Sequence, residues 1–308
     1  SYRKYLFDAN GVIQHYMKLG ISGWRLDVAD ELSDDFLQEL KRTALDQKGD
    51  AIVIGEAWED ASNKVSYDHR KQYFQGRELD SVMNYPMKDA VIRYVLDGDS
   101  NYFCSTAATI YKHYPKKVQD CLMNFLGTHD TMRILTVLGG EPQGQRSLGE
   151  MADVVMSPDD YAKARNKLKI AYGIVAFLPG IPSIFYGDEA GMQGYSDPLN
   201  RLPFPWGKED QELLHFYQRI GSIRKDHDVF RHGEFEVVFA DENLLVLSRW
   251  AENERIYAFA CRGKKEVHVN ADVEIENLIK GMRSRQFVLH ENEVLWLMDC
   301  ENANINFE

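Results

Sequence analysis

Three acidic side chains follow short apolar runs at intervals that fit a repeating strand–helix chain. Asp27 ends the run WRLD, Glu56 follows AIVIG, and Asp130 comes after CLMNFLGTH. One strand–helix unit separates Asp27 from Glu56, and two units with a long loop separate Glu56 from Asp130. Because the carboxyl ends of parallel strands open at one side of a barrel, we expect the three carboxylates to point into one cleft.

The surroundings of the first two acids differ in a way that suits hydrolysis of a sugar linkage. Arg25 lies two residues before Asp27 on the same strand face, so its cation favours the ionised carboxylate, as a nucleophile requires. Glu56 follows an apolar strand and precedes Ala57 and Trp58, surroundings that favour a protonated carboxyl group and suit a proton donor. Neighbouring strand ends can hold two such groups about 5 Å apart, the separation found in retaining glycosidases.

The residues near these acids leave alternatives open. Asp130 and His129 can hold sugar hydroxyl groups and stabilise positive charge on the ring. A metal site is the alternative, but no second histidine stands at metal-ligand spacing from His129. Asp30 and Glu31 could contact the substrate, or they could equally be acids at an ordinary strand end that leads into the next helix. Four aromatic residues could offer flat faces to sugar rings or could simply pack. They are Trp58, Tyr186, Tyr195 and Trp206.

The elements that would carry these residues alternate between strand and helix. Residues 24–28 alternate between apolar and charged side chains, which predicts a strand, and a helix over residues 8–19 precedes it. Ser33 is a good N-cap for a second helix that ends at Gly49, and residues 51–58 are typical of a strand buried on both faces. This order indicates an α/β fold with a parallel sheet.

The same alternation continues to about residue 224 and then changes. Further strands are predicted at 80–85, 120–126 and 181–186, and further helices at 87–96, 102–114, 157–178 and 209–224. After Asp228, short alternating runs separated by turn residues predict a small antiparallel sandwich. We therefore expect residues 1–231 to form part of a (β/α)8 barrel, three strands short of closure, and residues 232–308 to form a β-sandwich domain.

The composition limits the classes of partner. The 308 residues carry a formal net charge of −12, which argues against a nucleic-acid partner. No run of 18 apolar residues occurs, so no membrane span is expected. No C-x-x-C pair is present, and scattered cysteines fit a reducing compartment, here taken as the cytoplasm. The cysteines are Cys104, Cys121, Cys261 and Cys300.

Three segments together resemble the short signatures of the α-amylase family, glycoside hydrolase family 13. The segments are GWRLDVADE, IGEAW and FLGTHDTMR. In addition, Phe185–Glu189 and Ser196–Trp206 resemble loops of neopullulanases, cyclomaltodextrinases and maltogenic amylases. The resemblance implies about strands four to eight of a (β/α)8 barrel. It also implies retaining cleavage of α-1,4-glucosidic bonds in maltodextrins, cyclodextrins or pullulan.

The resemblance also implies roles for individual residues. Asp27 would be the nucleophile, Glu56 the general acid/base and Asp130 the stabiliser of the transition state. Substrate contacts would come from Arg25, His129, Trp58, Glu31, Asp197 and Arg201. Transglycosylation, which shares the covalent intermediate, remains an alternative. A non-catalytic binding protein of the same fold is another, although such relatives usually lack one or more of the acids.

One family signature is absent: an aspartate followed four and five residues later by Asn-His. We therefore expect this chain to be the C-terminal segment of a larger enzyme, so the activity of the isolated chain is open. No cofactor is expected for the chemistry, and a structural Ca²⁺ is an expectation for the full-length enzyme only. An α-glucan oligosaccharide is the expected partner. Homodimer formation is a further expectation, because the chain alone would expose strand edges.

Overall fold

The computed structural model describes residues 2–252, 254–299 and 303–308. The chain divides into two compact units, one comprising Ser1–Pro86 and Ala107–Met123, the other Met87–Thr106 and Asn124–Glu308. Helices and strands are mixed, and the largest sheet is antiparallel. None of the helices within the described residues is both long and apolar enough to cross a membrane.

The helices are α1 Tyr2–Phe7, α2 Val12–Lys18, α3 Asp34–Gln47, α4 Tyr85–Asp97, α5 Ser100–His113, α6 Lys116–Asp120, α7 Ile134–Gly139, α8 Leu148–Met151, α9 Pro158–Phe177, α10 Gln211–Asp226 and α11 Val229–His232. The first group of strands is β1 Gly23–Leu26, β2 Ile52–Gly55, β3 Val65–Ser66, β4 His69–Arg70, β5 Ser81–Val82, β6 Met123–Asn124 and β7 Ile181–Pro182. The second group is β8 Glu234–Ala240, β9 Leu244–Ala251, β10 Glu254–Cys261, β11 Val267–Asn277, β12 Met282–Leu289, β13 Glu293–Asp299 and β14 Ile305–Phe307. Single 3₁₀ turns cover Ala29–Glu31 and Leu199–Arg201.

The first unit contains a parallel sheet in the order β1–β2–β5. The backbones of β1 and β2 approach closely, since a Cβ atom on Gly23 would lie 2.0 Å from the carbonyl oxygen of Ile52. Glycine is therefore required at the start of β1. The two strands predicted around residues 24–28 and 51–58 are confirmed as parallel neighbours. Asp27 and Glu56 each come directly after the last residue of one of them.

Helix α3 begins where its capping residue predicts. The Ser33 hydroxyl accepts a hydrogen bond from the Phe36 N–H at 3.3 Å, as an N-cap does. The face of the helix that carries Leu37, Leu40 and Ala44 is buried. The apolar spacing of this segment thus predicts both the helix and its buried face.

In the second unit, the alternating runs after Asp228 form an antiparallel sheet in the order β12–β11–β13–β10–β9–β8, with β14 on β11. Its buried side chains form one apolar cluster that includes Val246, Phe259, Val269 and Leu297. The predicted antiparallel strands are therefore confirmed. Their arrangement as a separate sandwich domain from residue 232 stays a prediction.

The long predicted helix over residues 157–178 is confirmed as α9. The Ser157 hydroxyl accepts from the Asp160 N–H at 3.2 Å, and Pro158 occupies the first helical position, where its missing N–H costs no hydrogen bond. The helix ends before Leu178, whose N–H still bonds to the Ile174 carbonyl. Its C-terminal half is almost wholly buried.

Several sequence predictions are wrong in detail. The strand expected over residues 120–126 is reduced to β6, because Pro115 starts the short helix α6 directly before it. The strand expected over residues 181–186 is reduced to β7, since Pro182 has no N–H to donate to a neighbouring strand. The single helix expected over residues 8–19 begins instead at Val12.

Two further local features concern a turn and the cysteines. The hairpin of β3 and β4 was not expected, and its two turn residues, Tyr67 and Asp68, have positive φ angles of 52° and 59°. Such angles are typical of a two-residue hairpin turn. The thiols of Cys104, Cys121 and Cys261 are free, and Cys300 lies outside the described residues.

Candidate active site

Asp27 lies in the turn that follows β1, and Arg25 on β1 contacts it. The Nη1 atom of Arg25 lies 2.5 Å from Oδ1 of Asp27. The Asp27 side chain is 73% exposed, whereas that of Arg25 is 30% exposed. The carboxylate is therefore open to a ligand from solvent while one of its oxygens is held by a fixed cation.

Glu56 is 5% exposed and is surrounded by hydrogen-bond donors. Its Oε2 accepts from the Val28 N–H at 2.9 Å. Its Oε1 lies 3.2 Å from both Nε1 of Trp58 and Nη2 of Arg25, and 3.4 Å from the Tyr85 hydroxyl. Both carboxyl oxygens are thus fixed by polar contacts, so the prediction of apolar surroundings for Glu56 is wrong, although the side chain is buried. Arg25 contacts Glu56 and Asp27 with different nitrogens of one guanidinium group.

The backbone around Val28 reinforces this arrangement. Val28 has φ 44° and ψ 56°, a left-handed conformation that is rare for a β-branched residue. In this conformation its N–H points to Oε2 of Glu56, and the next N–H, of Ala29, donates to the Glu56 carbonyl at 3.1 Å. The turn after β1 therefore holds both the side chain and the backbone of Glu56.

Trp58 and Tyr85 form a stacked pair beside Glu56. Their ring centroids are 4.4 Å apart with an interplanar angle of 12°. Tyr85 is buried, whereas Trp58 is 52% exposed and presents part of its ring to solvent. Exposed aromatic faces of this kind suit the apolar face of a sugar ring.

The acids that follow Asp27 have different surroundings. Glu31 accepts a hydrogen bond from the Tyr67 hydroxyl at the tip of the β3–β4 hairpin. Asp30 instead accepts from the largely buried Tyr73 at 2.7 Å and pairs with Lys64 at 2.9 Å. Burial and the Asp30 carboxylate together raise the pKa of the Tyr73 hydroxyl. Asp30 is therefore held by Tyr73 and Lys64, whereas Glu31 lies at the surface.

In the second unit, His129 and Asp130 lie in a tight turn. The Thr131 hydroxyl accepts from the Thr128 N–H at 2.9 Å, and the Thr128 hydroxyl accepts from the Asp130 N–H at 3.2 Å. The Nε2 atom of His129 lies 3.1 Å from Oδ2 of Asp130. Both side chains are partly exposed, so the pair can meet a ligand while the turn fixes its backbone.

Asp197 and Arg201 lie against this turn. The Nε atom of Arg201 lies 3.0 Å from the His129 carbonyl oxygen and 2.9 Å from Oδ1 of Asp197. Its Nη2 lies 3.7 Å from Oδ1 of Asp130. The structure therefore brings four of the predicted site residues together in this unit. Convergence of Asp27, Glu56 and Asp130 on one cleft stays a prediction.

The other aromatic candidates differ in exposure. Trp206 is 82% exposed, and its ring packs on Phe204 at a centroid distance of 4.6 Å. Tyr186 is partly exposed and donates to the Leu202 carbonyl at 2.9 Å. Tyr195 is buried and donates to the Glu141 carbonyl, so packing is its role.

Sequence reasoning missed four residues that support the two groups of site residues. Tyr85 beside Glu56 was expected at the end of a strand. Arg133, Asp188 and Asn200 are buried polar residues in the second unit. A polar residue in a loop gives no signal that it is buried, so nothing in the sequence distinguishes these three. The only hint is that all three lie within segments that resemble those of the family, FLGTHDTMR, Phe185–Glu189 and Ser196–Trp206.

The donor set gives no support to a metal centre in this part of the protein. Over residues 2–252, 254–299 and 303–308, no three His, Cys, Asp or Glu side chains are grouped so that they could hold a metal ion. The calcium expectation for the full-length enzyme stays a prediction.

Comparison with known proteins gives matches over most of the chain. Residues 1–206 match the family model described as Alpha amylase, catalytic domain. An amylopullulanase from Thermoanaerobacter thermohydrosulfuricus is 35% identical over 243 residues, which are 75% of this chain and 15% of that protein. A cyclomaltodextrinase from Geobacillus thermopakistaniensis (strain MAS1) is 29% identical over 293 residues, which are 91% of this chain and 44% of that protein.

A solved structure shows the same fold. The ligand-free cyclic α-maltosyl-(1→6)-maltose hydrolase from Arthrobacter globiformis matches with a TM-score of 0.75 and 23% identity, covering 93% of this chain and 58% of that chain. The likeness at this identity concerns the fold alone. The chain spans less than half the length of the two curated relatives above.

Proposed function

Because the chain belongs to the α-amylase catalytic-domain family, we propose that it supplies the acid–base machinery of a retaining glycoside hydrolase. The substrates would be maltodextrins, cyclodextrins or pullulan, and the bonds cleaved would be α-1,4-glucosidic. The names of the matched relatives, an amylopullulanase and a cyclomaltodextrinase, support this substrate class. The observation that carries the proposal is the contact of one guanidinium group, that of Arg25, with both Asp27 and Glu56.

The proposed architecture follows the same family. Residues 1–231 would form about strands four to eight of a (β/α)8 barrel, and residues 232–308 a β-sandwich domain. The parallel β1–β2–β5 sheet and the antiparallel sheet of β8–β14 support the two parts. In a barrel, residues that follow the strands share one mouth, which is the basis for grouping Asp130 with Asp27 and Glu56.

The proposed reaction has two steps. Asp27 attacks the anomeric carbon while Glu56 donates its proton to the departing glycosidic oxygen, which leaves a covalent glycosyl-enzyme. Glu56, now ionised, takes a proton from water, the water oxygen attacks the anomeric carbon, and the bond to Asp27 breaks. Configuration is retained because two displacements occur at the same carbon.

The other site residues would assist these steps. Arg25 stabilises the ionised Asp27 and holds Glu56 beside it. Asp130 and His129 would hold sugar hydroxyl groups and favour positive charge on the ring as it develops. Trp58 would offer its exposed ring face to a sugar, with further contacts from Glu31, Asp197 and Arg201.

The test uses the complete protein that contains this chain. Glu56→Gln should lower turnover of a maltodextrin by about 10²–10⁴-fold while sugar binding persists. On a maltosyl fluoride, whose leaving group needs no proton, the first step of Glu56→Gln should survive, whereas Asp27→Asn should block it. Glu59→Gln, at an exposed carboxylate three residues on, is the control.

Three results would contradict the proposal. Wild-type turnover in Glu56→Gln would remove the assigned acid. An inverted anomer in the first-formed product, read by proton NMR, would rule out the retaining course. Binding without turnover in the wild type would favour the non-catalytic alternative. A homodimer and a cytoplasmic location stay predictions, the first tested by the molecular mass in solution.

A further inference from the structure

The loop that includes Leu199–Arg201 contains a buried side chain whose position the proposed reaction does not explain. Asn200 is 0% exposed in this 3₁₀ turn. Its Nδ2 donates to the carbonyl oxygens of His129 at 2.7 Å and of Thr131 at 2.8 Å. These two carbonyls flank Asp130 on either side. The side-chain amide of Asn200 therefore spans the backbone of the residue that would stabilise the transition state.

The orientation of this amide is fixed by chemistry. Two carbonyl oxygens face the same side-chain atom, and only the NH₂ group can donate to both. The Oδ1 atom of Asn200 is buried and finds no hydrogen-bond partner among the described residues. Burial of an unpaired carbonyl oxygen is unfavourable, so the two donated bonds must outweigh that cost.

The backbone of Asn200 is held as firmly as its side chain. The Nε atom of Arg133 donates to the Asn200 carbonyl at 2.7 Å, and Nη1 of the same side chain lies 3.2 Å from Oδ1 of Asp188. Arg133 and Asp188 are both buried. A continuous series of buried contacts therefore leads from Asp188 through Arg133 and Asn200 to the turn that carries Asp130.

We infer that Asn200 is a positioning residue for Asp130, acting through the His129 and Thr131 carbonyls that it holds. The inference rests on the proposed function, because it requires that Asp130 take part in the reaction. Asn200 itself need not touch the substrate. Its removal would leave every proposed catalytic group present. It would take away the hydrogen bond to the Thr131 carbonyl and leave the His129 carbonyl with Arg201 as its side-chain donor.

The first experiment compares Asn200→Ala with wild type in the complete protein. Loss of two buried hydrogen bonds should lower kcat by about tenfold or more, with KM changed by no more than about threefold. Amide hydrogen exchange in residues 128–132 should become faster. The control is Asn277→Ala. Asn277 is the last residue of β11 in the antiparallel sheet, and its buried side-chain amide accepts a hydrogen bond from the Lys280 N–H. That variant should keep the wild-type kcat.

A second variant separates positioning from loss of stability. Asn200→Asp keeps the side-chain shape but replaces the NH₂ donor by an oxygen. An ionised carboxylate would repel both carbonyls, whereas a protonated one could donate to one of them. The kcat of Asn200→Asp relative to wild type should therefore rise as pH falls. The ratio to wild type cancels the pH dependence that comes from the other charged groups around this site. They are Arg133, Asp188, His129, Asp130 and Arg201.

The outcomes distinguish this inference from the proposed function. If Asp130→Asn leaves kcat unchanged, the proposed role of Asp130 is wrong and this inference is wrong with it. If Asp130→Asn abolishes turnover but Asn200→Ala matches Asn277→Ala, the positioning role alone is overturned. If Asn200→Ala does not fold, a pH-independent ratio for Asn200→Asp overturns it instead.

Discussion

The Nη2 atom of Arg25 lies 3.2 Å from Oε1 of Glu56, a carboxyl group that is 5% exposed. The same guanidinium group reaches Asp27 through Nη1. A planar fork can make both contacts at once, whereas the ammonium group of lysine is a single point charge. The geometry of Arg25, in addition to its charge, therefore sets the relative placement of the two acids.

We expect Arg25→Lys to lower kcat/KM by about tenfold and Arg25→Gln by about a hundredfold or more. The first keeps the charge and loses the fork, and the second loses both the charge and the fork. Steady-state kinetics of the complete protein on a maltodextrin measures the effect. Arg42→Gln, at an exposed position of α3, is the control. Full activity in Arg25→Gln would show that the shared contact has no role in turnover.

The strands and helices that carry this pair follow from local sequence. The alternation over residues 24–28 predicts β1, and the apolar run before Glu56 predicts β2, because hydrophobic side chains recur in a direct pattern. Burial of the second strand on both faces is not observed, since Ile52 and Ile54 are only partly buried. Residue type and spacing alone therefore place Asp27 and Glu56 after neighbouring strands. Hydropathy predicts too long a strand at β7, because it does not show that Pro182 has no N–H group to donate to a neighbouring strand.

The contacts that support the acids could not be predicted in the same way. Nothing in the sequence around Val28 indicates a left-handed backbone, because a β-branched residue disfavours it and only the surrounding structure can impose it. The stacking of Tyr85 on Trp58 joins residues far apart in the sequence. Long-range contacts of this kind depend on how the whole sheet packs.

The conformation of Val28 leads to a prediction about stability. A left-handed conformation costs a non-glycine residue about 1–2 kcal/mol, and glycine avoids this cost. Glycine also loses more conformational entropy on folding, which offsets part of the gain. We expect Val28→Gly to leave the free energy of unfolding unchanged or to raise it by up to about 1 kcal/mol. Because the turn becomes more mobile, kcat should fall severalfold.

Urea-induced unfolding and steady-state kinetics measure the two effects of Val28→Gly side by side. Val28→Ala serves as the matched control, because it shortens the side chain but keeps the left-handed strain. A loss of more than about 1 kcal/mol in Val28→Gly but not in Val28→Ala would show that the backbone at this position is unstrained.

The carboxylate of Asp210 leads to a prediction about pH. As the N-cap of α10 it accepts from the N–H groups of Glu212 and Leu213, each at 3.0 Å, and from the Tyr161 hydroxyl at 2.8 Å. Partial burial acts to raise the pKa of Asp210, but the hydrogen bonds from Leu213 and Tyr161 and the charge of Arg165 outweigh it, so the pKa is lowered. A lowered pKa stabilises the folded protein above the unfolded-state value and loses that effect as pH falls.

We therefore expect Asp210→Asn to lower the free energy of unfolding by about 0.5–2 kcal/mol at pH 7. The difference from wild type should shrink as the pH falls below about 4, where the carboxyl group is protonated in the unfolded chain. Urea titrations at several pH values measure this difference. Asp153→Asn, at an exposed carboxylate, controls for the change in net charge. A deficit that stays constant down to pH 3 would contradict the linkage.

Arg133 is fully buried beside Asp188. Burial raises the pKa of Asp188 to about 7, and the charge of Arg133 opposes that rise. Arg133→Met should destabilise the protein by about 3–5 kcal/mol, because it leaves Asp188 without its cation. It should also raise the pKa of Asp188 further. Since a raised carboxyl pKa stabilises at low pH and loses that effect as pH rises, the deficit should be larger at pH 8 than at pH 5.

The pH dependence of Arg133→Met can be assigned to Asp188 by a second variant. In Arg133→Met/Asp188→Asn no carboxyl group titrates at this position, so the deficit relative to Asp188→Asn should not change between pH 5 and pH 8. Urea-induced unfolding of wild type, both single variants and the double variant at the two pH values provides the free energies needed. A deficit of Arg133→Met that is equal at both pH values would mean that the loss of Arg133 leaves the pKa of Asp188 unchanged. The buried pair would then depend on its other contacts, the hydrogen bonds from Arg133 to the carbonyls of Asn200 and Tyr186.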